Sequence, residues 1–151
     1  MAKPSFRAGV IIVVRRDDGR VLAFERGDTP GAWQLPQGGI DEGETPKHAA
    51  WRELAEETGL GPADVRLVDV HPYWTVYEWP SHVVVNKPPA KTADRLGQAH
   101  KWFIFEPLDG VALAPVPDMD EFVAWQWMTP AELTEQVVEF RRPGYEQVLL
   151  A

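Results

Sequence analysis

Three glutamates in the first half of the chain have a spacing that suits metal binding. Glu53, Glu56 and Glu57 stand at i, i+3 and i+4 in a segment that Thr45-Pro46 begins in the manner of a helix N-terminus. On a helix the three carboxylates lie close together and repel one another at neutral pH. A divalent cation such as Mg²⁺ relieves that repulsion because it prefers oxygen ligands. A solvated acidic helix face is the alternative interpretation of the same spacing.

The helix that carries these glutamates is predicted to run over residues 45–58 and to end at Gly59. At about 100° per residue, its glutamates are expected on the side opposite the residues that bury against a sheet. That buried side is predicted to consist of Ala50, Trp51, Leu54, Ala55 and Thr58. The preceding Gln37-Gly38-Gly39 is flexible by composition and lets the backbone approach a ligand closely.

Strands and helices alternate in the rest of the chain, which predicts an α/β sandwich around one core, as a single domain over residues 1–151. Further helices are predicted over 130–138, after a capping box at Thr129, and over 144–150, with a long loop over 80–96. The predicted strands cover 8–14, 21–25, 65–70, 73–78, 101–106 and 122–128, with a short extended piece at 33–36.

Composition limits the classes of function. The 151 residues carry a formal net charge of −8 and include no cysteine, which excludes disulfides, thiolate metal sites and a cysteine nucleophile. No stretch of apolar residues is long enough to span a membrane, and the N-terminus lacks the apolar run of a signal peptide. We therefore expect a cytoplasmic protein without membrane association, and the sequence gives no oligomeric state.

The segment 38–60 matches a known pattern at every specified position. Gly38, five residues, Glu44, seven residues and then Arg-Glu-Leu-Ala-Glu-Glu-Thr-Gly-Leu over 52–60 resemble the complete box of the Nudix hydrolases. The resemblance implies an α/β/α sandwich with a mixed central sheet, in which the box forms a loop, a helix and a second loop. It also implies a hydrolase that uses water and metal ions to cleave a diphosphate linkage in a nucleotide-like substrate.

The resemblance implies roles for residues of the box. Glu53, Glu56 and Glu57 would bind Mg²⁺ or Mn²⁺, the carbonyl of Gly38 is a further candidate ligand, and one glutamate, with Glu56 the first choice, would act as general base. Arg52 would orient a glutamate through an ion pair. Glu44 would support the loop.

Four further segments, 33–39, 97–103, 121–125 and 137–145, resemble RNA 5′ pyrophosphohydrolases and dinucleoside tetraphosphate hydrolases in order and spacing. This second resemblance implies that Glu121 joins the metal site or activates water. It implies a nucleoside polyphosphate, either a dinucleoside polyphosphate or the 5′-triphosphate end of RNA, as the bound partner. The implied substrate-binding residues are Arg7, Arg26, Tyr77, Lys101, Phe140 and Arg141.

The sequence leaves two alternatives open. One is a Nudix enzyme for a different substrate, such as a free or damaged nucleoside triphosphate or a sugar nucleotide. The other is a nucleotide-binding module without catalysis, although such modules usually lose glutamates of the box and this chain keeps all three. The net charge of −8 repels a long RNA more than a short substrate, so the short substrate is favoured.

Overall fold

Two long parallel strands form the centre of the molecule. The computed structural model describes residues 5–80 and 95–151, and in it β1 (Ser5–Val14) runs parallel to β7 (Arg95–Pro107). Residues 9–14 of β1 are all buried, which requires cover on both faces of the sheet. The continuous apolar run of β1 fits that position because a strand buried on both faces has no polar alternation.

The sheet around this pair is mixed. Its order is β4 (Gln37–Gly39), β1, β7 and β5 (Val65–Val70), and β6 (Thr75–Glu78) pairs with the first half of β7. A second sheet has three antiparallel strands in the order β3 (Trp33–Gln34), β2 (Val21–Arg26) and β8 (Phe122–Met128).

Helix α1 (Pro46–Thr58) is capped at both ends as the sequence predicts. The Thr45 hydroxyl accepts the backbone N–H of His48 at 3.1 Å, and Gly59 takes a left-handed conformation with φ of 74°. Helix α2 (Pro130–Gln136) begins with a capping box between Thr129 and Glu132. A short 3-10 helix (Glu139–Arg141) leads into α3 (Arg142–Leu149).

Two apolar clusters hold the helices on opposite faces of the sheets, which confirms the α/β/α sandwich. One cluster joins the apolar face of α1 to alternate residues of β1, including Val10 and Ile12. The other joins the intervening residues Ile11 and Val13 to α2 and α3. Burial of such side chains is the main stabilising term, at roughly 25 cal/mol per Å² of apolar surface.

Several element bounds differ from those predicted. Residues 37–39 form β4 rather than a flexible loop, because their backbone pairs with β1. Strand β6 begins at Thr75 because the bend after Pro72 directs the Tyr73 N–H to the His71 ring. Strand β7 extends six residues before the predicted 101–106.

The C-terminal helices also differ from prediction in their limits. Helix α2 ends at Gln136, before the predicted 138, since Val137 is extended. Helix α3 begins at Arg142, before the predicted 144, and the 3-10 helix connects the two. Of the predicted loop 80–96, residues 81–94 lie outside the described residues. Within 5–80 and 95–151, no helix has the length and apolar character needed to cross a membrane. The single domain and the cytoplasmic location stay predictions.

Candidate active site

An open cleft of about 660 Å³ lies where α1, β4 and the first residues of β1 and β7 meet the end of β2 and the start of β8. Segments far apart in sequence contribute to it, from β1 to the 3-10 helix that precedes α3. Its walls are strongly polar, with many more carboxylates than apolar groups. The lining includes Arg7, Arg26, Asp28, Gln34, Gln37, Gly38, Gly39, Glu53, Glu56, Glu57, Gln98, Asp118, Asp120, Glu121, Phe122 and Arg141.

The three helical glutamates are not equivalent, contrary to the prediction of a common face opposite Leu54. Glu53 and Glu57 are buried, with 8% and 5% of their surface exposed, whereas Glu56 is exposed. Glu57 lies about 60° from Leu54 around the helix axis, so β4 covers it. Ala55, predicted on the buried side, is exposed.

Burial dominates the electrostatics of Glu57. Loss of solvent raises the pKa of its carboxyl group to about 10, and the neighbouring carboxyl group of Glu121 and the charge of Glu53 add to the rise. The backbone N–H of Gln37 donates to Oε2 of Glu57 at 3.2 Å and opposes the shift. Burial also raises the pKa of Glu53, against the opposing effect of Arg52.

Glu121 is brought to this carboxyl pair by the turn before β8. The Asp118 carboxylate accepts the backbone N–H groups of Asp120 and Phe122 and closes that turn. The carbonyl of Glu121 accepts the N–H of Gly27 at 2.9 Å, which fixes the turn to the end of β2.

Arg52 connects the helix to the loop before it. Its guanidinium donates to both oxygens of Glu44 at 2.8 Å, to Oε1 of Glu53 at 2.7 Å and to the carbonyl of Gly39 at 2.8 Å. It also reaches Glu56 at 3.3 Å. These contacts raise the pKa of Arg52, first through the hydrogen bonds to Glu44, and lower the pKa of Glu44. The expected ion pair between Arg52 and a glutamate is thus present.

Gly38 lies directly against Glu53. A Cβ atom built on Gly38 would overlap the Glu53 carboxylate. A side chain at position 38 would therefore displace the carboxylate from its place between β4 and Arg52. The glycine keeps the backbone and the candidate ligand in contact.

The cleft suits a divalent cation by the chemistry of its donors. Its carboxylates are the hard oxygen ligands that such cations prefer. Burial raises the pKa of Glu57, and a nearby positive charge would favour the ionised form of that group. Within the described ranges, no three acidic or histidine side chains already converge as a ligand set. Arg52 explains this arrangement, since it holds Glu53 and Glu56.

A cationic and aromatic cluster adjoins the cleft through Arg141, while the rings of Tyr77 and Phe140 do not line the cleft. The Arg141 guanidinium lies 5.1 Å from the ring centroid of Phe140 and 5.5 Å from that of Tyr77, and the two rings are 5.3 Å apart. Arg141 donates to the side chain of Gln37 at 2.7 Å and to the Tyr77 hydroxyl oxygen at 3.0 Å, and Tyr77 donates to Gln98.

The other predicted substrate residues divide into two groups. Arg7 and Arg26 line the cleft, and the Arg7 guanidinium lies over Gly39. Lys101 does not lie among the lining residues; its ammonium group faces the Pro72 carbonyl at 3.5 Å and the Trp74 ring at 6.0 Å. It differs because neighbouring residues of β7 point to opposite faces, and His100 and Trp102 take the inner one.

Several residues of the cleft were not predicted from the sequence. Gln37 links Arg141 to Glu57, and Gln98 receives the Tyr77 hydroxyl. A signal existed for the turn before β8, because Asp118 has the side chain that closes such turns. No signal in the sequence pairs Gln37 with a residue more than one hundred positions later.

The fold and the cleft together define a class, namely α/β/α proteins with an acidic cleft that is also lined by arginines. Residues 5–148 match the family model described as the NUDIX domain. The chain belongs to the Nudix hydrolase family, and it is therefore an enzyme of the class expected from the segment 38–60.

Relatives and solved structures agree with this membership. The chain is 38% identical to Nudix hydrolase 25 of Arabidopsis thaliana, over 97% of this chain and 85% of that protein. It is 39% identical to the RNA pyrophosphohydrolase of Cereibacter sphaeroides, over 95% and 88% of the two chains. The fold is similar to that of the dihydroneopterin triphosphate pyrophosphohydrolase of E. coli, with a TM-score of 0.73 and 25% identity over 97% and 98% of the chains.

Proposed function

We propose that this enzyme hydrolyses a diphosphate linkage in a nucleoside polyphosphate, either a dinucleoside polyphosphate or the 5′-triphosphate end of RNA. The observation that carries the proposal is the arrangement of one cleft, in which buried carboxylates face arginines and an adjoining aromatic cluster. The similarity to an RNA pyrophosphohydrolase at 39% identity supports the same substrate class.

Glu53, Glu56, Glu57 and Glu121, with the carbonyl of Gly38, are the groups that we assign to hold Mg²⁺, or Mn²⁺ in its place. Nudix hydrolases generally use divalent metal ions. A bound divalent ion neutralises phosphate oxygens and lowers the pKa of a coordinated water. Because Glu56 is the exposed glutamate of the three, it is accessible to accept a proton from the attacking water.

The remaining residues position the substrate. Arg7, Arg26 and Arg141 offer guanidinium groups to phosphates that are not cleaved, since a planar fork matches phosphate geometry. Phe140 is assigned to stack on a base, with Tyr77 packed beside it, and stacking of this kind tolerates any base. Arg52 holds the carboxylate of Glu53 in place. Because Lys101 lies outside the cleft, we expect it to make no direct contact with the cleaved phosphates.

A panel of substrates tests the proposal. Diadenosine tetraphosphate, triphosphorylated RNA, free nucleoside triphosphates and ADP-ribose are compared with Mg²⁺, with Mn²⁺ and with a chelator, and product masses are identified. We expect the first two substrates to lead and chelation to abolish turnover. If ADP-ribose or a free triphosphate leads by about tenfold in kcat/KM, a gap of roughly 1.4 kcal/mol, the substrate assignment is wrong.

The aromatic cluster has its own test. Phe140→Ala should raise KM for diadenosine tetraphosphate with a smaller effect on kcat, because stacking stabilises the bound substrate and the transition state about equally. The binding free energy of the substrate should weaken by about 1–3 kcal/mol, the contribution of one stacked base. Tyr73→Ala, which removes an exposed ring outside the cleft, is the control.

A further inference from the structure

Arg26, one of the three arginines in the cleft, is already occupied by an acidic neighbour. Its Nε and Nη2 donate to the two carboxylate oxygens of Asp28 at 2.9 and 2.8 Å, and its Nη1 donates to the side chain of Gln34 at 2.8 Å. The pair with Asp28 is bidentate, and it uses the same fork of the guanidinium that a phosphate would use.

The two partners of Arg26 differ in how firmly they are held. Gln34 is 3% exposed and lies in β3, whereas the Asp28 side chain is 66% exposed and belongs to the loop after β2. Asp28 can therefore turn into solvent while Gln34 keeps the guanidinium at the edge of the cleft. The contact from the Thr29 hydroxyl, at 3.0 Å, is local to the same loop and moves with it.

Asp28 stays charged across the range of ordinary assays. The hydrogen bonds from Arg26 lower the pKa of its carboxyl group to about 2. An incoming polyphosphate thus meets a carboxylate at the position where a phosphate would pair, and that carboxylate also repels it.

We propose that Asp28 is a specificity-determining residue, which competes with a phosphate of the substrate for the fork of Arg26. The proposal rests on the proposed function for its substrates, which are polyphosphates long enough to reach Arg26 from the cleavage site. In the free enzyme Asp28 covers the guanidinium. In the complex a phosphate of the substrate replaces the Asp28 carboxylate on Arg26, and Asp28 turns outward. A substrate too short to reach Arg26 makes no such contact and obtains no added affinity from it.

The test compares Asp28→Asn with a matched control. Binding of inorganic tripolyphosphate is measured by titration calorimetry, and KM and kcat are measured for diadenosine tetraphosphate. We expect Asp28→Asn to bind tripolyphosphate and diadenosine tetraphosphate roughly three- to tenfold more tightly, the effect of one charge near a phosphate in a partly solvated cleft. Turnover should change by less than about twofold, because the cleaved linkage lies elsewhere.

Asp18→Asn is the control, since it makes the same change of net charge outside the cleft. Asp18 pairs with Arg16 and Arg20 at 2.7 and 3.0 Å. A second variant, Asp28→Ser, serves if the asparagine disturbs the loop. The gain should vanish in an Arg26→Gln background, because the competed group is then absent.

The outcomes separate this inference from the proposed function. Unchanged or weaker tripolyphosphate binding by both Asp28 variants, or no binding to any variant, overturns the competition. Tighter binding without hydrolysis of either proposed substrate supports the competition and rejects the proposed function. An equal gain in Asp18→Asn would show a general effect of net charge and would also overturn the role of Asp28.

Discussion

At the scale of residues, burial distinguishes side chains that the sequence presents as equals. The spacing of Glu53, Glu56 and Glu57 predicted one acidic group on the helix, and the structure instead buries two of them and exposes the third. The difference could not be predicted from helix geometry alone, because it depends on how β4 covers the flank of α1. The ion pairs of Arg52 were foreseeable from the family resemblance, whereas the link through Gln37 was not.

Glu57→Gln tests whether the most deeply buried glutamate is a metal ligand. We expect turnover to fall roughly 100-fold or more, as for loss of a metal-site residue. The fold should remain, since glutamine can still accept from the Gln37 N–H. Burial raises the pKa of Glu57 to about 10, so its stabilising contribution to the metal-free fold is full below its unfolded pKa and is lost as the pH rises through the folded pKa. Glutamine does not ionise, and the variant should therefore be at least as stable as the parent at neutral pH.

The control for Glu57→Gln is Glu135→Gln, which changes an exposed glutamate of α2. Rates with a saturating series of Mg²⁺ concentrations and melting temperatures with a chelator are recorded for both. Activity of Glu57→Gln within about twofold of the parent would remove it from the metal site.

Arg52→Lys tests positioning as distinct from charge. Lysine keeps the positive charge, but a single ammonium cannot contact Glu44, Glu53 and the Gly39 carbonyl together, as the guanidinium does. We expect a loss of roughly 10- to 100-fold in activity or metal affinity, the size found when a group that orients a ligand is removed. The Mg²⁺ activation curve should shift to higher concentration. Full activity with an unchanged curve would contradict the positioning role.

At the scale of elements, local signals predicted the helices and the middle of every strand except β4. The Thr45 cap, Pro46 and Gly59 fixed α1 to the residue, because caps are encoded by the residues that form them. Strand β4 was not predicted because it contains two glycines, and the first residues of β7 were not predicted because they are polar. Both pair with β1, and pairing between distant segments leaves little trace in local sequence.

Gly38→Ala tests the close approach of β4 to α1. The methyl group would overlap the carboxylate of Glu53, which is the far end of a side chain and can rotate away without moving the helix. We therefore expect a folded variant with turnover lowered roughly tenfold or more, as for a displaced group at a metal site. Gly61→Ala is the matched control, because a Cβ there meets no atom within 4 Å. Equal activity of the two variants would show that the contact has no role in turnover.

At the scale of the whole molecule, the sequence predicted the layers and, through the family resemblance, about half of the residues that line the cleft. The polar residues Asp28, Gln34, Gln37, Gln98, Asp118 and Asp120 were not predicted. Alternation along β1 assigns Ile11 and Ile12 to opposite apolar clusters, which is sufficient to infer helices on both faces. Arg7 and Arg141 lie near opposite ends of the chain. The resemblance, and no local pattern, assigned both to one site, and the fold brings both to one cleft. The net charge follows from composition alone, and a net negative charge repels every phosphate of a substrate, including those outside the cleft.

The net charge of −8 predicts how activity depends on RNA length and salt. A triphosphorylated RNA of about 20 nucleotides and its triphosphorylated dinucleotide present the same 5′ end, but the long chain also meets the repulsion of an acidic protein. The short substrate should have the higher kcat/KM at low salt. Raising the salt from about 0.01 M to about 0.1 M shortens the screening length from about 30 to about 10 Å. The ratio of kcat/KM for the long RNA to kcat/KM for the dinucleotide should therefore rise, by roughly threefold or more. The measurement is that ratio at several salt concentrations with Mg²⁺ held constant. A preference for the long RNA at low salt that falls as salt increases would instead reveal a basic path for RNA, and it would contradict repulsion by the whole molecule.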